Sequence, residues 1–241
     1  MRVLGLDPSL RAYGWAIHDS IAEGRKRRVA SGHDGTPATT VPVVRFMQFR
    51  SLVASLLEKH DPEGVGMESP AYAAGPFQRI HFGLMMFALE AVFERRKDCV
   101  LFDPATLKLL AREDSEKRKG PMGKLDMQRR VQVDTLDPSV IDNNEADAYL
   151  VALYAARFFD LQSGALSPED LTPSERSVFV TRKKRTKTMR GFVVKRIAHV
   201  FRENSRYFSF SKVPPGSVLL PGKSAVDPRI GEFLASVEEE S

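Results

Sequence analysis

VLGLDPSLRAYGWAI, residues 3–17, ends one apolar run on an aspartate and begins a second run a few residues later. A strand buried on both faces has no use for an unpaired carboxylate, so Asp7 marks a strand end and needs a reason to be there. Two other runs end in the same manner. GVGME (64–68) stops on Glu68 before Pro70, and CVLFD (99–103) stops on Asp103 before Pro104. Proline lacks the N–H that would continue a sheet ladder.

Working outward, Arg2–Leu6 reads as a first strand, Tyr13–His18 as a second, and Arg28–Ser31 as a third reached through a hairpin. Residues 32–42 have loop composition. Val43–Lys59 shows helical periodicity, and residues 77–96 read as a long apolar helix. Short helices follow over 105–112 and 125–133, and DNNEADAYLVALYAARFFDL (142–161) is the strongest helical pattern. Three strands, helix, strand, helix, strand, helices is an α/β order: an antiparallel start with parallel additions, forming a mixed sheet flanked by helices. After residue 165 periodicity fades, although SPEDLTPSERS carries helix-start chemistry. The expected division is a domain over 1–164 and an extension over 165–241.

The 241 residues, 42% hydrophobic and 28% charged, suit a globular protein with a real core. No run approaches the ~20 apolar residues that span a bilayer, and no signal peptide is visible. The single cysteine, Cys99, leaves no intramolecular disulfide and no thiolate metal cluster. A cytoplasmic compartment and no membrane partner are expected. Charge is unevenly spread. Residues 181–207 carry ten Lys and Arg against one Glu, a net +9, which leaves −4 for the rest of a chain whose total is +5. A mildly acidic body with a basic, aromatic-interleaved extension points to a polyanionic partner, most simply nucleic acid. A solvated, solubilising segment is the plainer reading.

Asp147 lies in the first turns of the 142–161 helix, which can bring its start against the sheet edge bearing Asp7 and Glu68. Three converging carboxylates repel unless a cation joins them, and Mg²⁺ or Mn²⁺ suits oxygen ligands. Paired ions of this kind serve phosphodiester hydrolysis. Taken singly, each acid has a plain reading as turn former or cap. Asp142 and Glu145 in particular fit a capping box.

VLGLDPSLRAYGWAI, VGMESP (65–70) and NEADAYLVALYAA (144–156), in this order, resemble the RuvC family of Holliday junction resolvases within the RNase H-like superfamily. The resemblance covers roughly residues 1–160. It implies an RNase H-like sheet, two divalent ions per site and a dimeric endonuclease that nicks four-way DNA junctions symmetrically, with no nucleotide cofactor. Asp7, Glu68 and Asp147 match its metal ligands. A fourth ligand is expected three or four residues before Asp147, where Asn144 and Asn143 stand. Asp142 and Glu145 remain alternatives. The family's catalytic lysine, in a glycine-containing basic loop, is matched to Lys124 in KRKGPMGKLDMQRRV (117–131), with Lys108 and Lys119 as lesser candidates. Its base-stacking aromatic corresponds to Tyr72 or Phe77 in AYAAGPF (71–77). The long apolar helix corresponds to the region that contributes to a homodimer. The extension has no counterpart in that core. Its basic residues Arg182, Lys183, Lys184, Arg185, Lys187 and Arg190 are candidates for phosphate contacts. The rival expectations are an RNase H-like nuclease acting on forks, flaps or hybrids, and a catalytically weak junction-binding protein. An actin-like ATPase, which needs a second phosphate motif, fits least.

Overall fold

A computed structural model describes residues 1–9, 12–37, 39–70, 78–112, 123–139, 142–179 and 197–201. The strands are β1 (Arg2–Asp7), β2 (Ala12–Asp19), β3 (Arg28–Gly35), β4 (Gly64–Glu68), β5 (Asp98–Phe102) and β6 (Ile197–Phe201). The helices are α1 (Pro42–His60), α2 (Gln78–Glu94), α3 (Pro104–Leu110), α4 (Lys124–Thr135), α5 (Asn143–Ser163) and α6 (Pro173–Phe179). The expected order of elements and the mixed α/β sheet are present. A 3-10 turn at Gly24–Arg27, α6 and β6 are additions to it. No helix among the described residues is long and apolar enough to cross a membrane.

The strands lie in the order β3-β2-β1-β4-β5-β6. β1 pairs antiparallel with β2 and parallel with β4. β4 pairs parallel with β5, and β6 closes the far side antiparallel to β5. Because side chains alternate between faces, β1, β2 and β5 each feed two cores. Leu4, Leu6, Ile17, Val65, Met67 and Leu101 pack with Phe49 and Val53 of α1 and Leu84 and Leu89 of α2. Val3, Ala16, Val100 and Phe102 pack under α5, whose residues from Ala146 to Phe159 are almost all buried. The second core continues past residue 164, taking in Leu171, Val178 and Phe179. Arg157 of α5 pairs with the buried Glu175 of α6, which also accepts a hydrogen bond from the Thr172 amide at 2.9 Å.

Helix boundaries follow local chemistry. Pro42 and Pro104 occupy first-turn positions, where a missing N–H costs nothing. Asp103 caps α3 by accepting from the Ala105 amide at 2.8 Å. Gly164 ends α5 at φ +79°, a left-handed conformation that favours glycine. On the opposite face, Val43, Val44 and Met47 of α1 and Phe82 of α2 stay 42–58% exposed around the packing of Phe46 on Gly83.

Candidate metal centre

The site is built along one rung of the sheet. Asp7 stands opposite Gly14, and Gly14 stands opposite His33. On the other side Leu6 pairs with Met67, so Asp7 is level with Glu68, which stands opposite Phe102. Residues paired across a sheet point to the same face, and here that face is the one α5 covers.

Two glycines set how closely α5 sits. A Cβ on Gly14 would meet the backbone carbonyl of Asn144, and one on Gly5 would meet the carbonyl of Ala148. The helix backbone therefore rests directly on β1 and β2. Its start is fixed by Asp142, whose carboxylate accepts from the Asn144 amide at 2.8 Å. With the first turn seated over Gly14, residues two apart must diverge, because i and i+2 do not share a helix face. Asp147 interacts electrostatically with Asp7 and Glu68. Glu145 turns to β3 instead, accepting from Ser31 Oγ at 2.7 Å and pairing with His33 Nδ1 at 3.1 Å. The expected capping box thus forms only by half: Asp142 caps, while Glu145 is drawn away by two partners on β3.

The electrostatics are those of crowded carboxylates. Burial first, then repulsion by Glu68, Asp147 and Asp142, raises Asp7 well above the ordinary carboxylate range. Burial and Asp147 push Glu68 up to about 8, and burial pushes Asp147 up to about 6 with a smaller contribution from Asp142. Desolvation and like charge act here, and nearby cations oppose them. Lys124, at the first position of α4, lowers both Asp7 and Asp147, and Lys108 of α3 lowers Glu68 and Asp147.

Asp7, Glu68, Asp147, Asp142, Lys124 and Lys108 are therefore linked in one electrostatic network, with Asp147 interacting with each of the others. Glu145 is held on β3, and Asn144 contributes the backbone carbonyl that abuts Gly14. Tyr72, Phe77, Lys119 and the basic residues from Arg182 to Arg190 lie outside the described residues. Asp103 is a further acid at the site, for it raises Glu68. Its signal was present in the sequence as a third strand ending in an acid before proline. Among the described residues, no three His, Cys, Asp or Glu side chains are already drawn into one ligating cluster. The donor set nonetheless fits a hard divalent cation: oxygen ligands, half-buried, whose shared negative charge is under-compensated by two lysines.

No family model matches the chain. It is 30% identical over 83 residues to the crossover junction endodeoxyribonuclease RuvC of Paramagnetospirillum magneticum, a stretch that is 34% of this chain and 49% of the relative. The chain thus spans about half the length of the curated relative it matches. Among solved structures, Thermus thermophilus RuvC superposes with a TM-score of 0.54 at 18% identity, covering 67% of this chain and 96% of that one. T. thermophilus RuvC in complex with a Holliday junction substrate gives a TM-score of 0.54 at 20% identity, covering 65% and 96%. At such identities the superposition establishes the architecture, and the curated match adds shared sequence. The chain thus shares the architecture of RuvC, and over 83 residues its sequence is similar to that of a RuvC.

Proposed function

We propose that the protein is a metal-dependent, structure-selective DNA endonuclease that resolves four-way junctions by paired symmetric nicks. The observation that carries this reading is the rung of carboxylates, Asp7 and Glu68 with Asp147 facing them, each raised by burial or by its acidic neighbours. Such a group is costly to fold unless it serves a cation. Two Mg²⁺ ions, or Mn²⁺ in their place, are assigned to Asp7, Glu68 and Asp147, with Asp142 or the side-chain carbonyl of Asn144 completing the set. When bound, they activate a water and stabilise the leaving oxygen of a phosphodiester. Lys124 and Lys108 offset the charge that develops on the scissile phosphate.

Branched DNA is the proposed partner, and two-fold junction symmetry asks for two active sites. The exposed Val43, Val44, Met47 and Phe82 supply an apolar surface for a homodimer. The extension from residue 165 is assigned two roles. Its first part anchors through α6. The basic run that follows binds DNA, and its closing strand β6 starts beside Phe102, level with Glu68.

One assay tests the proposal: cleavage of a labelled synthetic four-way junction beside a fork and a linear duplex, with Mg²⁺ or with EDTA. Paired nicks confined to the junction and dependent on metal are expected. Equal cleavage of forks or flaps assigns the site to a broader branched-DNA nuclease. Tight junction binding without cleavage favours a binding protein, the reading that the amide side chains at Asn143 and Asn144 support.

A further inference from the structure

His33 lies on the same rung and the same sheet face as Asp7, two strands away, which places it about 10 Å from the acidic group across two strand spacings. Its surroundings are built rather than incidental. Glu145, whose side chain is 17% exposed, is fixed by Ser31 Oγ at 2.7 Å and holds His33 Nδ1 at 3.1 Å, while the imidazole itself is 50% exposed. With Nδ1 engaged by a carboxylate, Nε2 is the ring's other polar atom. The hydrogen bond to Glu145 comes first in favouring the protonated ring, with smaller electrostatic contributions from Asp142 on α5 and Asp34 on β3. The result is a half-exposed imidazole, its protonated form favoured, held in place by Glu145 of the helix that also carries Asp147.

We propose that His33, oriented by Glu145, is a phosphate-binding residue that receives the DNA backbone beside the cleavage site, on the β3 side of the acidic rung. Glu145 is then a positioning residue and not a member of the metal set. The inference rests on the nuclease reading above. It accounts for the divergence of the two acids in NEAD: one helix turn over Gly14 serves the metal with Asp147 and the substrate backbone with Glu145 through His33.

The test measures binding of a labelled four-way junction by the full chain at pH 6, with Ca²⁺ in place of Mg²⁺, across a salt series. His33→Ala is expected to weaken binding about 5–10-fold and to flatten the slope of log affinity against log salt by about 1, the signature of one lost phosphate contact. His33→Lys restores the slope, and His33→Gln recovers affinity only in part. Glu145→Gln weakens binding, and the double variant His33→Ala/Glu145→Gln binds no worse than His33→Ala alone, because both act through one contact. His33→Ala and His33→Gln that retain the wild-type melting temperature, affinity and slope overturn the inference while leaving the nuclease reading intact. Wild-type protein that binds no DNA in this assay overturns both.

Discussion

The two faces of the sheet are packed by different means. Under α5 the closest contacts, at β1 and β2, are backbone on backbone, with carbonyls of the helix lying where Gly5 and Gly14 have no side chain. Under α1 and α2 the contact is made by side chains, Phe49, Leu84 and Leu89 among them, and the obstacle above Gly83 is the Phe46 ring. A backbone contact leaves little room for adjustment, whereas interlocked side chains can repack. The acids occur on the first face, and that is physically sensible. A constellation of charges has to be held to within a fraction of an ångström, and a helix seated on backbone supplies that precision.

The most severe way to break the contrast is to place the same new volume on each face. Gly5→Ala should destabilise the fold by ~3 kcal/mol or more, because the Ala148 carbonyl cannot step aside without lifting α5. Gly83→Ala should cost only ~1 kcal/mol, since a phenylalanine ring can rotate away and alanine improves helix propensity. Denaturant unfolding of the two variants checks both, and equal losses would refute the distinction.

Next in size is the acidic group itself. Asp7→Asn should lower metal-dependent junction cleavage by at least ~10²-fold. It should also raise the metal-free melting temperature, because it removes a buried repulsion. A variant that is inactive and less stable would mean that Asp7 is a structural residue.

The pH dependence sharpens the comparison further. Glu68 carries a folded pKa of about 8, above its ordinary 4.5, so the native state binds the extra proton. Its contribution to stability is present below pH ~4.5 and is lost as pH rises through about 8. His18 is buried against Tyr149 and is pushed down to about 4 from 6.5, so its contribution is present above pH ~6.5 and is lost as pH falls towards 4. Metal-free protein should therefore lose stability as pH rises from ~6.5 to about 8, where the titration of Glu68 is no longer offset by His18. Glu68→Gln should flatten the alkaline limb by ~2–3 kcal/mol. Added Mg²⁺ should raise the melting temperature more at pH 8 than at pH 6. The smallest effect belongs to the other face. Met47→Glu should change monomer stability by less than ~0.5 kcal/mol while shifting the sedimentation of the chain from dimer to monomer.

Much of this arrangement is legible in the chain. The strand ends at Asp7 and Glu68 and the helix bearing Asp147 follow from apolar runs interrupted by acids and prolines, because the alternation and the breakers are local. Glu145 is different. Its neighbours Ser31 and His33 lie more than a hundred residues away, and only the pairing of Gly14 with His33 brings them under the helix. Asp103 reads in the chain as an acid before proline, the pattern of an ordinary cap, and it does cap α3. Its influence on Glu68 needs β4 and β5 to be parallel neighbours. β6 was hidden for a compositional reason, as five apolar-leaning residues stand next to a run of cations.

That last strand has a consequence for how the chain is made. β5 remains an unpaired sheet edge during synthesis until residues near 200 have left the ribosome, and bare edges invite pairing between copies. The eight Lys and Arg of residues 180–196 emerge just before the strand that covers the edge. Like charge on neighbouring nascent chains then keeps their unfinished sheets apart, so the segment assigned to DNA also acts as a gatekeeper against aggregation while the sheet is incomplete.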